Sequence, residues 1–211
     1  MPVINLAEGQ VTLKLVYVGP EGAGKTTNLE TLHRLVDADH RGARMQLEGD
    51  ENRAPFFDLL PIFFQFAGLS VRLKVFSVPG KAAHRMARRA VMRGADGIVF
   101  VVDSDPETQS VNQYAFSELQ DDLRMLSGEE IPPILTQFNK RDREGASGVK
   151  PFGDEPALEA VASDGVGVRE TLLEMAETLW QVALKTPDFP ESLGASAQDF
   201  RSELATHIAK P

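Results

Sequence analysis

The stretch Gly19-Pro20-Glu21-Gly22-Ala23-Gly24-Lys25-Thr26 constrains this chain more than any other feature, because it satisfies the pattern G-x-x-x-x-G-K-[ST] directly after an apolar run over residues 13–18. Glycines there let backbone N–H groups curl around phosphate oxygens, a lysine reaches the outer phosphates, and a hydroxyl holds Mg²⁺. Lys25 and Thr26 fill the last two roles, with Thr26 as the candidate metal ligand. Downstream, Leu29, Leu32 and Val36 recur at helical spacing, so the loop feeds a helix N-terminus whose dipole also favours an anion. Gly19, Glu21, Gly22, Ala23, Gly24, Lys25, Thr26 and Thr27 are therefore candidate nucleotide contacts.

Hydrophobic periodicity predicts strands alternating with helices through the rest of the chain. Residues 3–6 read as a short edge strand and 12–18 as a central one. A polar loop over 37–53 carries a short strand at 44–47. Residues 59–66 and 71–78 read as a β-hairpin, and Pro79-Gly80 breaks its second strand. A helix over 82–93, a buried strand over 97–102, a helix over 111–127 and a buried strand over 134–138 follow. Gly145, Gly148, Pro151, Gly153 and Pro156 predict a loop over 143–156, ahead of a last strand at 158–162 and a helix over 168–185. Such alternation implies an α/β fold with three layers, in which a mostly parallel sheet carries one antiparallel hairpin strand. Gly19, Pro79-Gly80, Asp103 and Asn139 all follow strand ends, and ligands of such sheets bind at that rim.

Two surface patterns stand out. Arg85, Arg88, Arg89 and Arg93 share one face of the helix over 82–93, a pattern that is ordinarily a solvated face, with a docking surface as the functional alternative. On the helix over 111–127, Leu119, Leu123 and Leu126 face inward, and Glu118, Asp121 and Asp122 lie on the other side. The chain divides into a domain over 1–186 and a C-terminal tail over 187–211, where Phe200, Leu204 and Ile208 form the apolar stripe of a short amphipathic helix. With 22 Lys+Arg against 31 Asp+Glu, the net charge of -9 disfavours nucleic acid and anionic lipid as partners and points to proteins. Zero cysteines exclude disulfides and thiolate metal sites, and no stretch reads as a signal peptide or an integral membrane segment. The expectation is a cytoplasmic protein.

The base is read at Asn139-Lys140-Arg141-Asp142, which follows a strand end and matches the N-K-x-D box of the GTPase superfamily. A carboxylate at Asp142 can accept two hydrogen bonds from guanine, at N1–H and the 2-amino group. Adenine has an acceptor at N1 and no 2-amino group, so it cannot reciprocate. Val161 and Ala162, in the segment after the last strand, resemble the loop that meets guanine O6 through backbone N–H.

A wider resemblance rests on Gly-Pro-x-x-x-Gly-Lys-Thr-Thr-Asn-Leu from Gly19, Phe56-Phe57-Asp58-Leu59-Leu60-Pro61, Val78-Pro79-Gly80, Gly94-Ala95-Asp96-Gly97-Ile98-Val99-Phe100-Val101 and Gly165-Val166-Gly167-Val168. These segments look like the bacterial gliding-motility and cell-polarity GTPases of the MglA type, over about residues 3 to 185. The resemblance implies a P-loop NTPase of the small-GTPase (Ras-like) fold that binds GTP/GDP with Mg²⁺. It also implies a Roadblock/LC7-domain partner of the MglB type acting on the switch segments.

Departures from that family fall on residues that do chemistry. Lys81 follows Gly80 where the family carries the glutamine that orients the attacking water, and a protonated lysine cannot accept that water's hydrogen bond. Ala54 replaces a switch threonine, and Glu21 brings a carboxylate to a loop position that is usually glycine. Arg53 survives and matches the arginine that the family uses as an intrinsic finger. Ser77 stands where most GTPases have aspartate, but the MglA type also lacks that aspartate, so this change says little. Nucleotide binding with slow or absent hydrolysis is the expectation. Glu21 and Lys81 are also expected to pair, with an attraction at ~4 Å and surface-like dielectric of roughly 4 kcal/mol before desolvation. Two rivals to a cycling switch remain: a pseudo-GTPase scaffold that binds partners without cycling, and a P-loop ATPase or nucleoside kinase with an adenine pocket and a second substrate site.

Overall fold

A computed structural model describes residues 2–5, 7–47, 57–127, 130–148, 156–186, 189 and 195–211. Strand β1 (Val3–Asn5) pairs antiparallel with the start of β2 (Gln10–Val18), which begins earlier than its apolar run because Gln10 already pairs with Ser70. Helix α1 (Lys25–Leu35) leads to β3 (Met45–Leu47) and then to the hairpin of β4 (Phe57–Phe66) and β5 (Leu69–Ser77). The hairpin turns on Ala67 (φ 50°) and Gly68 (φ 78°), the pair of positive φ values that a two-residue turn matched to strand twist requires.

A 3₁₀ turn at Ala82–His84 then precedes α2 (Arg85–Met92), so the α-helix starts later than periodicity alone suggests. Next come β6 (Gly97–Asp103), α3 (Gln109–Ser127), β7 (Ile134–Asn139), β8 (Ala157–Glu159), α4 (Val168–Leu184) and α5 (Ala197–Thr206).

The strands form one sheet in the order β3-β4-β5-β2-β6-β7-β8. β5, β2, β6, β7 and β8 run parallel, and β4 is antiparallel to β5. Leu13, Leu15 and Tyr17 of β2 face Leu29 and Leu32 of α1 and Leu172, Leu179 and Trp180 of α4. Val16 and Val18 point the other way, into a second core with Met92, Phe100, Phe116 and Leu119. Three layers result, and the parallel strand ends at Val18, Ser77, Asp103 and Asn139 share one rim. Among the described residues no helix is long and apolar enough to cross a membrane.

The tail packs into the first core. Ser196 and Asp199 form a reciprocal capping box at the start of α5. Phe200 stacks on Trp180 with centroids 4.3 Å apart and meets the edge of Phe66. Arg169 donates to the carbonyls of Ala205 and Ile208 at the far end of α5, and the Ala209 amide donates to the Leu35 carbonyl.

Three of the four arginines on this face are paired with α3 rather than solvated or free for a partner, which corrects both sequence readings for those three. Arg85 and Arg89 each reach Asp122 Oδ1 at 2.7 Å, and Arg88 reaches Glu118 at 3.1 Å. Asp122, placed by periodicity on the wet side of α3, is fully buried, and Arg88 is only 5% exposed. A polar stripe marks a face of a helix but not its neighbour, and here two polar faces close on each other. Arg93 alone of the four is exposed.

Candidate functional site

The loop after β2 is shaped by close backbone approach. Gly19 (φ 151°) and Gly24 (φ 98°) occupy conformations that favour glycine, and a Cβ would strike the Val101 carbonyl at the first and the Asn139 amide at the second. Gly24 is also the N-cap of α1 and provides no side chain to the first-turn amides. That leaves the positive end of the helix dipole to an anion. Lys25 is buried, with Nζ donating to the carbonyls of Gly19 at 2.9 Å and Pro20 at 2.6 Å. Burial lowers its pKa to about 8, with the Arg88 charge acting in the same direction and Glu21 opposing it.

A cleft of about 530 Å³ opens beside the loop, lined among others by Glu21, Gly22, Lys25, Thr26, Thr27, Asp58, Ser77, Gly80 and Lys81. Its size suits a small-molecule ligand. Asp58 is the residue that sequence reasoning passed over. The β4–β5 register sets it opposite Ser77, and its Oδ2 accepts from Thr26 Oγ1 and Ser77 Oγ, each at 2.9 Å. The carboxylate absent from position 77 is thus supplied across the strand pair, next to the candidate metal-ligating hydroxyl. A signal existed: an aspartate next to the start of a strand that is then apolar up to Gln65.

At the other end of the rim, Asn139 donates from Nδ2 to the Ala23 carbonyl at 2.8 Å and accepts from the Ala162 amide at 2.8 Å, tying the N-K-x-D strand to the phosphate loop and to the segment after β8. Lys140, at φ 65°, places Nζ 2.5 Å from Asp103 Oδ2. Asp142 is exposed beside them. The Val161 amide donates to Val166, so the backbone donors of Val161 and Ala162 are both engaged within the protein.

Gly80 rests against the Pro20–Glu21 peptide, where a Cβ would collide. Lys81 Nζ lies 3.3 Å from Glu21 Oε1, so the expected pair forms, with side chains 59% and 64% exposed. Arg53 and Ala54 lie outside the described residues.

No family model matches the chain. It is 33% identical over 186 residues to the mutual gliding-motility protein MglA of Myxococcus xanthus, a match that covers 84% of this chain and 95% of that protein. The chain belongs to the MglA family of small GTPases. A more distant similarity, 28% identity over 192 residues, links it to the mouse ADP-ribosylation factor-like protein 4D and spans 85% of this chain and 87% of that protein. Membership in the MglA family makes the chain a GTP-binding regulatory small GTPase with the P-loop NTPase fold. The cradle glycines, the free helix N-terminus and the clustered Thr26, Asp58 and Ser77 fit a phosphate ligand with a hard cation.

Proposed function

We propose that this MglA-family chain is a guanine-nucleotide switch whose intrinsic GTP hydrolysis is slow or absent. The observation that carries the proposal is the Lys81–Glu21 ion pair at the mouth of the cleft, where a glutamine and a glycine would otherwise stand. Lysine has no acceptor with which to orient a water, so this corner cannot position the attacking water. The residues from Gly19 to Thr27 would hold the phosphates, together with Gly80. Thr26 would ligate Mg²⁺ with Asp58 behind it, and Asn139, Lys140 and Asp142 would face the base, with Val161 and Ala162 beside it; the Ala162 amide would have to leave Asn139 Oδ1, or the Val161 amide Val166, to reach guanine O6. Bound Mg²⁺ supplies charge neutralisation at the outer phosphates. Arg53 would act as the intrinsic finger.

As a switch, the chain would act through a Roadblock/LC7-domain protein of the MglB type, in bacterial polarity, gliding motility or related signalling, and from the cytoplasm. The similarity to a protein named for gliding motility supports that setting. Residues 1–186 would form the GTPase domain, with 187–211 as an extension whose helix docks on it. Single-turnover assay of purified protein tests the hydrolysis claim: a rate at or below the order of 10⁻⁴ s⁻¹ without a partner is expected, and fast turnover would overturn it. The second reading, a pseudo-GTPase scaffold that never cycles, is favoured by the same ion pair. It predicts no hydrolysis even when the partner is present.

A further inference from the structure

Helix α1 starts at the phosphate loop, and one of its faces carries three polar side chains, Asn28, Thr31 and Arg34, that reach towards the base-reading half of the rim. Asn28 Oδ1 accepts from Gln137 Nε2 of β7 at 2.9 Å. Thr31 Oγ1 donates to the Ala162 carbonyl at 2.7 Å. Arg34 Nη2 donates to Thr31 Oγ1 at 2.9 Å and to the Ser163 carbonyl at 3.3 Å. Neither Thr31 nor Arg34 lines the cleft.

The Thr31 contact differs from those of two other helical threonines. Thr171 and Thr178 turn back to the carbonyls of Gly167 and Glu174, four residues earlier in the chain, an ordinary outlet for a hydroxyl in a helix. Thr31, only 1% exposed, instead reaches a residue 131 positions away. A hydroxyl has one hydrogen to give, and here it goes to Ala162. The guanidinium of Arg34 donates to the same oxygen, and a charged donor strengthens the bond beyond it. Ala162 is thereby held from both sides, its amide on Asn139 Oδ1 at 2.8 Å and its carbonyl on Thr31.

We propose that Thr31, with Arg34 bracing its hydroxyl, is a positioning residue for recognition of the guanine 6-oxo group. When that oxygen takes the Ala162 amide from Asn139, or the Val161 amide from Val166, the bond from Thr31 to Ala162 is the one that keeps the segment in place. Asp142, which reads N1–H and the 2-amino group, stands on a different loop, so the two halves of base recognition have separate supports. This inference rests on the guanine-nucleotide reading above.

Two analogues separate those halves. 6-Thioguanosine diphosphate keeps N1–H and the 2-amino group but carries sulfur, a weak acceptor, in place of O6. Inosine diphosphate keeps O6 and lacks the 2-amino group. In titration calorimetry of the full chain in Mg²⁺, each analogue should bind about tenfold more weakly than GDP, the worth of one hydrogen bond. Thr31→Val removes the hydroxyl at nearly constant shape. It should cut the preference for GDP over the 6-thio analogue to about twofold or less, with the preference over inosine diphosphate still about tenfold. Thr31→Ser, which restores the hydroxyl, should keep both preferences. Arg34→Ala, at an exposed position, tests the brace without opening the interior and should cut the 6-thio preference to about threefold. A merely structural role would weaken all three nucleotides equally, and that result would overturn the proposal. An unchanged 6-thio preference in Thr31→Val, or in Arg34→Ala where Thr31→Val does not fold, would overturn it as well. So would an unaltered chain that prefers GDP to inosine diphosphate but not to the 6-thio analogue. If the unaltered chain does not bind GDP, or binds ADP equally well, the guanine-nucleotide reading itself fails, a result separable from failure of Thr31 alone.

Discussion

Replacing Lys81 by Gln and Glu21 by Gly, singly and together, tests how the phosphate corner is held. At the observed 3.3 Å the Coulomb attraction is about 1.3 kcal/mol in bulk water and about 5 kcal/mol at an effective dielectric of 20. The exposures decide between these limits. Both side chains are more than half exposed, so water screens the pair and side-chain entropy opposes it. The net coupling should then be about 1 kcal/mol or less, well under the roughly 4 kcal/mol that a surface-dielectric argument gives for the sequence alone. A double-mutant cycle on single-turnover GTP hydrolysis reads this directly. Lys81→Gln alone should raise the rate, because an acceptor returns to the corner. Adding Glu21→Gly should act nearly independently, with a coupling factor of about five or less. Coupling above about a hundredfold would refute the argument, since it would require the pair to be desolvated and to act as one unit.

Other consequences are equally direct. Asp58→Asn should fold, yet GDP affinity in Mg²⁺ should fall about tenfold and lose most of its sensitivity to a chelator, both read by calorimetry. The Lys25 pKa of about 8 lies below its ordinary 10.5, so the unfolded chain binds more protons between those values, and the stability of the ligand-free chain rises with pH across that window. Phosphate favours the ammonium form, so nucleotide affinity should be flat below about pH 8 and fall towards tenfold per unit above it. Titrations at several pH values check this, and Lys25→Arg should abolish the fall. Phe200→Ala removes the ring stacked on Trp180 and should cost about 3–5 kcal/mol, seen as a lower urea midpoint. An unchanged midpoint would show that α5 contributes little to the core.

How far the residues alone could be read depends on whether a feature is local. The loop from Gly19 to Thr26 and the strands with unbroken apolar runs were legible because spacing alone carries them. The N-K-x-D box was legible as well, and Asn139 does bridge the loop and the segment after β8. Asp58 was not, because its meaning comes from facing Ser77 across a strand pair rather than from its neighbours in sequence. The arginines of α2 were misjudged for a related reason. Periodicity finds a polar face, but only the packing of α2 on α3 shows that Glu118 and Asp122 fill it. Helix α2 also began late, since the 3₁₀ turn at Ala82–His84 has the same apolar spacing over a few residues as an α-helix. Arg53 and Ala54 remain expectations from the sequence.

The central claim is that the cleft beside Lys25 takes a guanine nucleotide, selected at Asp142. Parallel calorimetric titration of the nucleotide-free chain with GDP, GTP, ADP and ATP in Mg²⁺ tests it most directly. The account predicts binding of GDP and GTP and none of ADP or ATP, with Asp142→Asn eroding the preference and Lys25→Ala weakening all binding. Equal affinities for GDP and ADP would contradict it.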